Sequence, residues 1–299
     1  MSLPLPPPGA ESIAFFGTPD IAVPTLSALI DAGFAIPIVV SGSDRRRGRG
    51  STTSPSPVKQ AALDLGLEVT TEIDDALRVE ADLGVVVAFG KIIPTRVLEQ
   101  LPMVNLHVSA LPRWRGAAPI ERAILAGDPT TAISIMSLVE RLDEGDIWAQ
   151  ETVEIGENET AAELRVRLGE QGARLMTRTI REGFPASVPQ RGDPVYAAKI
   201  TNEDLHLDWD RPATELQRVV RVGGAWTTFR ADRFKIWDVE VVGEGPAPGH
   251  LEHDLVGTGE GALRLVSVQP AGKPRMSGSD WSNGAQPSYG ELLGDSGDG

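Results

Sequence analysis

Through the first two thirds of the chain, short apolar runs alternate with segments of helical period, and turns rich in glycine and proline separate them. Residues 12–16 read as a strand, and a helix follows from Asp20 to about Ala32, with Gly33 as its stop. Residues 35–40, rich in Ile and Val, predict a second strand and 67–70 a short third one. Between them Ser56-Pro57 forms an N-cap and N1 pair for a helix over 58–65. Short helices are expected at 73–79 and 95–100, on either side of the apolar run 83–89. Such a run suits a central parallel strand buried on both faces. The succession strand, helix, strand predicts right-handed crossovers and a parallel, Rossmann-like α/β sheet.

After a helix over 117–126, residues 131–138 and 147–153 predict two strands of a hairpin. A long helix over 160–183 follows, its apolar side formed by Leu164, Leu168, Ala173, Leu175, Met176 and Ile180. Pro185, Pro189, Gly192 and Pro194 then break the pattern. From Asn202 on, one helical segment at 212–221 precedes short strands at 234–242, 250–255, near 257–259 and at 263–269. That pattern fits a small OB-like β-barrel. The expected organisation is a disordered tail over 1–11, an α/β domain over 12–184 and a linker over 185–203. A barrel domain over 204–286 and a frayed tail over 287–299 complete it.

Composition narrows the chemistry. The 299 residues contain no cysteine, which excludes disulfides, thiolate metal sites and a cysteine nucleophile. Four histidines leave little material for a metal centre, and His250 and His253 read as part of a solvated loop or strand edge. A net charge of −14 argues against non-specific nucleic-acid binding, though not against a local basic patch. No apolar run approaches the roughly 20 residues of a membrane span. The proline-rich N-terminus lacks the basic region of a signal peptide, so a cytoplasmic protein is expected. The turn after the first strand carries one glycine and no dinucleotide fingerprint, which disfavours a nucleotide-dependent oxidoreductase. Against the acidic whole, residues 43–57 hold four arginines among glycines and serines, fitting either a solvated loop or one that contacts phosphate.

The stretch 103–120 concentrates the candidate chemistry. Asn105, His107 and Ser109 alternate with Val104, Leu106 and Val108, so three polar groups are expected on one face at a strand's C-terminal end. Leu111-Pro112 then stops the strand and Gly116 frees the backbone. An asparagine amide can hold a developing oxyanion, and a histidine can move a proton near neutral pH. A carboxylate to orient the histidine is expected from Asp143, with Glu144 and Asp146 as alternatives. No serine or cysteine stands in a nucleophile elbow, which favours direct attack by a substrate amine on a carbonyl.

These residues carry a resemblance. Asn105-x-His107-x-Ser109, with Ala110-Leu111-Pro112, Arg115-Gly116-Ala117 and Leu142-Asp143-Glu144-Gly145-Asp146, resembles the 10-formyltetrahydrofolate-dependent formyltransferase family. Phe16-Gly17-Thr18-Pro19-Asp20, the arginine loop, Ser54-Pro55-Ser56-Pro57, Tyr196-Ala197-Ala198-Lys199 and Gln269-Pro270-Ala271-Gly272-Lys273 narrow it to the branch acting on methionyl-initiator tRNA. The resemblance implies Asn105, His107 and Asp143 as the catalytic trio, with Asp143 orienting His107. It implies folate held by Phe89, Gly90, Ile92, Ser109, Ala110, Leu111 and Pro112, with 10-formyltetrahydrofolate as co-substrate and no metal. tRNA contacts are implied at Arg45, Arg46, Arg49, Lys59, Lys199, Arg218, Arg221 and Lys273. In an acidic second domain these would need a basic cluster that also takes in Arg230, Arg233 and Arg275. A monomer is expected. The competing expectations are a sugar-nucleotide formyltransferase, a formyltetrahydrofolate hydrolase, and a catalytically silent folate- or tRNA-binding protein.

Overall fold

The computed structural model describes residues 3–46 and 53–294, which divide into two compact units. The first comprises residues 3–120, 130–154 and 164–198 apart from the undescribed ones, and the second 121–129, 155–163 and 199–294. Two short pieces of the expected α/β domain thus cluster with the C-terminal part.

The first unit is built on a seven-stranded sheet. Its strands are β1 (Ser12–Gly17), β2 (Ala35–Val40), β3 (Val69–Thr70), β4 (Leu83–Val87), β5 (Met103–His107), β6 (Thr130–Ser137) and β7 (Ile147–Glu154), in the order β7-β6-β5-β4-β1-β2-β3. β3, β2, β1, β4 and β5 run parallel, whereas β6 is antiparallel to β5 and β7 to β6. All five residues of β4 are buried, as its apolar run requires of a strand covered on both faces. The chain reverses direction across the sheet between β1 and β4, where open α/β sheets gather ligands at the strands' carboxyl ends.

Helices α1 (Val23–Asp31), α2 (Pro57–Asp64), α3 (Thr95–Leu98), α4 (Pro119–Ala126) and α5 (Ala161–Glu182) fill the connections. The helix expected from Asp20 opens as a 3-10 turn, Asp20–Ala22, and the one expected at 73–79 is the 3-10 segment Ile73–Leu77. α2 begins as its sequence dictates: the Ser56 hydroxyl accepts from the Lys59 N–H at 3.1 Å, and Pro57 occupies the first turn.

The second unit carries helix α6 (Ala213–Val222) and an antiparallel sheet of β8 (Trp226–Phe229), β9 (Asp232–Val242), β10 (Leu251–Glu252), β11 (Leu255–Gly257), β12 (Ala262–Pro270) and β13 (Met276–Ser277). β8 and β13 are absent from the sequence reading, and the strand expected over 250–255 is split by His253, at φ 58°. Helix α7 (Gly278–Ala285) also escapes it, because Gly-Ser-Asp-Trp-Ser-Asn-Gly-Ala has poor helix formers. Its Ser277 cap accepts from the Asp280 N–H at 3.0 Å, and Trp281 is buried against Phe229 and Phe234.

Three segments expected to be loose are packed. Leu3 lies against the apolar cluster of the first unit, and Ala10 is buried. Leu293 is 3% exposed and donates its N–H to the Gly249 carbonyl, so the expected frayed tail is ordered through Gly294. In the expected linker, Val188 exchanges backbone bonds with Ile147, and Tyr196–Ala197 pairs with Arg115–Gly116. Apolar residues and backbone groups spaced along these segments find partners that no local pattern announces.

Candidate active site

β5 ends at His107, so the expected face of three polar residues holds two. Asn105 and His107 share one side of the strand, each at most 8% exposed. Ser109 lies in the bend beyond. Its hydroxyl donates to the Arg113 carbonyl at 2.7 Å, while its own carbonyl accepts from Ser134. Ser109 therefore shapes the loop, because the chain turns before the alternation can continue.

The imidazole of His107 meets the Trp114 carbonyl through Nε2 at 2.9 Å. A carbonyl only accepts, so Nε2 carries the hydrogen and Nδ1 is the open nitrogen. Asp143 Oδ2 lies 3.8 Å from Nδ1, beyond hydrogen-bond reach but close enough to act on its charge. The carboxylate is itself held by the Gly116 N–H at 2.8 Å. The orientation of His107 thus comes from a backbone carbonyl, and that of Asp143 from a backbone amide. This corrects the expectation that Asp143 orients the histidine.

Two glycines permit this approach. Gly116 sits at φ 114°, where an added Cβ would come within 3.0 Å of the Ala197 carbonyl. At Gly145 an added Cβ would stand 1.9 Å from the Ser137 carbonyl. Asp143 is buried at φ 52°, whereas Glu144 is turned to Arg115 at 3.1 Å and Asp146 to Ser187 at 3.4 Å. Of the three candidate carboxylates, only Asp143 faces the histidine.

The expected folate segment divides. Phe89 is buried edge-on against Phe16, and its carbonyl accepts from Thr18 at 3.0 Å. Leu111 is buried as well. These two and Ser109 build walls. Gly90 and Ile92 are exposed, Ile92 by 85%, while Ala110 and Pro112 are half-buried, and these four keep apolar surface to offer a flat ring. The residues present fit a ring of the folate kind.

Among the expected tRNA residues, Arg49 lies outside the described residues. Arg45–Arg46 pairs through its backbone with Thr53–Ser54. The Lys59 ammonium is bound to Asp44 at 2.7 Å, tying the loop's base instead of facing solvent free. Arg221 donates to the carbonyls of Glu159 and Gly156 at 2.9 and 2.8 Å, and burial holds its pKa below the usual guanidinium range. It is a structural fastener, which corrects its place in an RNA patch. The Arg218 guanidinium lies against Gly127, and Lys199 and Lys273 are exposed.

Sequence reasoning named Arg233 and Arg275 for a basic cluster but passed over Lys235, Trp226 and Trp237, with which they form a basic, aromatic row on the second unit. Arg233 stacks over Trp226 at 4.3 Å, and Lys235 and Arg275 over Trp237 at 5.6 and 5.4 Å. Phe234 and Ile236 between them are buried, and this period of two was the available signal. It also passed over Arg115 and Gln190, whose side chains meet near Asp143.

The described residues contain no group of three or more His, Asp or Glu placed to hold a metal ion. None of their helices is long and apolar enough to cross a membrane.

The formyl transferase family model matches residues 11–180, and that of the formyl transferase C-terminal domain matches 199–286. The chain is 40% identical over 295 residues to a methionyl-tRNA formyltransferase of Methylococcus capsulatus, covering 91% of this chain and 96% of that one. It is 41% identical over 299 residues to that of Roseobacter denitrificans, covering 94% and 98%. Among solved structures, the methionyl-tRNA formyltransferase of Clostridium thermocellum matches at a TM-score of 0.57 and 15% identity, over 77% of this chain and 92% of that one. An N-formyltransferase of Helicobacter canadensis, in complex with folinic acid and dTDP-3-aminofucose, matches at 0.65 and 16% identity, over 88% and 99%. These two likenesses show a shared fold. By its sequence relatives and both family models, the chain belongs to the methionyl-tRNA formyltransferase family.

Proposed function

We propose that the chain transfers the formyl group of 10-formyltetrahydrofolate to the free amine of methionyl-initiator tRNA. The observation that carries the reading is the placement of Asn105 and His107 on one face of β5, with Asp143 3.8 Å from the imidazole. Bound folate supplies a formyl carbon open to attack by the amine. Asn105 offers amide hydrogens to the charge that grows on the formyl oxygen. The open Nδ1 of His107 takes the proton that leaves the amine, and the Asp143 carboxylate balances the resulting charge through space. The tetrahedral intermediate then collapses with cleavage of the formyl C–N10 bond, that proton passes to N10, and tetrahydrofolate leaves. Gly90, Ile92, Ala110 and Pro112 hold the folate ring between them.

The tRNA is held by the OB-like second unit through an outward row shared by β8, β9 and the segment before β13. Arg233, Lys235 and Arg275 supply charge for phosphates, while Trp226 and Trp237 offer flat surface. Their pairing with rings leaves positive charge at the surface of an acidic chain. With this reading go a monomer and a cytoplasmic setting. Sedimentation of the bare protein checks the first, and fractionation of the source cells the second.

Formyl transfer from 10-formyltetrahydrofolate to charged initiator tRNA, run beside His107→Ala, tests the proposal. Turnover by the native chain that falls by about 10²–10⁴-fold in the variant is expected. Consumption of the folate without formylated tRNA would point to hydrolysis, and transfer to another amine to a different acceptor.

A further inference from the structure

The strap that follows α5 carries a side chain whose whole hydrogen-bonding capacity is directed at the site. Gln190 Oε1 accepts from Arg115 Nε at 3.1 Å and Nη2 at 2.8 Å. Its Nε2 donates to the carbonyls of Asp143 and Gly145, both at 2.8 Å. One carboxamide therefore joins the two loops that bring the carboxylate to the histidine. Arg115 stands next to Gly116, whose N–H holds the Asp143 carboxylate, and the other loop carries Asp143 itself.

The rest of the strap is fixed at both ends. Val188 exchanges backbone bonds with Ile147, at the start of β7. Val195 bonds the Pro112 carbonyl and the Arg115 N–H, and the Ala197 carbonyl accepts from Ala117 and Ala118. Arg115 is 8% exposed and reaches Glu144 at 3.1 Å with its remaining arm. Asp143 is buried at φ 52°, a conformation that a residue with a side chain holds only when its surroundings enforce it. Two carbonyls in its own turn are tied to one amide, and that tie is such an enforcement.

We propose that Gln190 is a positioning residue for formyl transfer: by fastening the 143–145 turn to Arg115, it holds the Asp143 carboxylate against His107. The inference rests on the functional reading above. Gln190 acts through Asp143, whose turn it fastens. Glutamate at this position keeps the acceptor for Arg115 but has no hydrogen to give the two carbonyls. Methionine keeps the length and loses both.

The test is steady-state formyl transfer by the full chain and by Gln190→Glu, Gln190→Met, Asp143→Asn and the double variant Asp143→Asn/Gln190→Met, with tRNA varied. A misplacement near 1 Å costs about 100-fold, so kcat is expected to fall about that far in both Gln190 variants. KM for tRNA should stay within about twofold. The double variant should be no slower than Asp143→Asn, because two changes acting through one carboxylate do not add. A native kcat in Gln190→Glu or Gln190→Met, or losses that multiply in the double variant, would overturn the proposal. If Gln190→Met does not fold, Gln190→Glu decides alone, since it retains the Arg115 contact. Turnover of the native chain with initiator tRNA reports the function itself. If the native chain formylates another amine, the variant-to-native ratios are read with that acceptor, and the two failures remain distinct.

Discussion

Asn105 is buried on β5, and no hydrogen bond within the described residues engages its amide. Its amide atoms keep contact with the open site, so they need no partner in the resting protein. A donor already in place stabilises an oxygen that gathers charge beside it, which is how it lowers a barrier. Asn105→Ala should therefore reduce kcat by about 10²–10³-fold with little change in KM, as initial rates against both substrates would show. An equal rise in KM with kcat intact would instead make Asn105 a binding group. His107 and Asp143 differ from Asn105 in being held by the backbone, through Trp114 and Gly116. Neighbouring peptide groups, spaced by one tight loop, thus do the orienting that a side-chain dyad was expected to do.

Charged pairs fasten segments at the scale of elements. In the second unit Arg122 grips Asp204 with two hydrogen bonds of 2.8 Å, and Asp204 also accepts from the Thr201 N–H. The guanidinium bonds first, and the backbone bond after them, hold the Asp204 carboxyl below the usual range. A carboxylate lowered on folding contributes stability that is complete above its unfolded pKa, about 3.9, and is lost as pH falls through the folded value. Asp204→Asn should thus be less stable than the native chain by a constant amount above about pH 5. That gap should close below about pH 4, as denaturant melts across pH would record. A gap that widens in acid would contradict the assignment. At the same scale the strap shows how a segment rich in proline and glycine can be structural. Its backbone groups bond to β7 and to the Pro112–Gly116 loop, partners about 40 to 80 positions away in sequence.

For the whole molecule the governing quantity is charge. A chain of net charge −14 repels tRNA at long range, so binding must come from a local row strong enough to overcome that field. Arg233, Lys235 and Arg275 are the row proposed above for that task, whereas Arg221 is turned to carbonyls. Replacing the three with alanine should weaken tRNA binding. It should also flatten the dependence of log K on log salt by about 0.7–0.9 for each phosphate no longer neutralised. An unchanged slope, read from binding titrations at several salt concentrations, would remove the row from the interface. The long α5 belongs to the same scale and follows from apolar period alone, whereas the order β5-β4-β1-β2-β3 is decided by which strands pair.

Much of this protein was settled by local pattern. Runs of Val and Ile made the parallel strands, period 3.6 made α5, and alternation put Asn105 and His107 on one face. Motifs whose chemistry lies within a few residues of one another were equally legible, whereas Asp143, 36 positions beyond His107, was singled out from Glu144 and Asp146 only through a resemblance. Tertiary structure decided whatever depends on partners distant in sequence. It ended β5 at His107, turned Ser109 inward, ordered the residues through Gly294, and gave Arg221 to backbone carbonyls. It also brought Gln190 to a turn 45 residues earlier in the chain. The physical reason is common to all of these. A hydrogen bond's worth depends on what else could satisfy its two ends, and burial, which only the folded chain establishes, removes water from that choice.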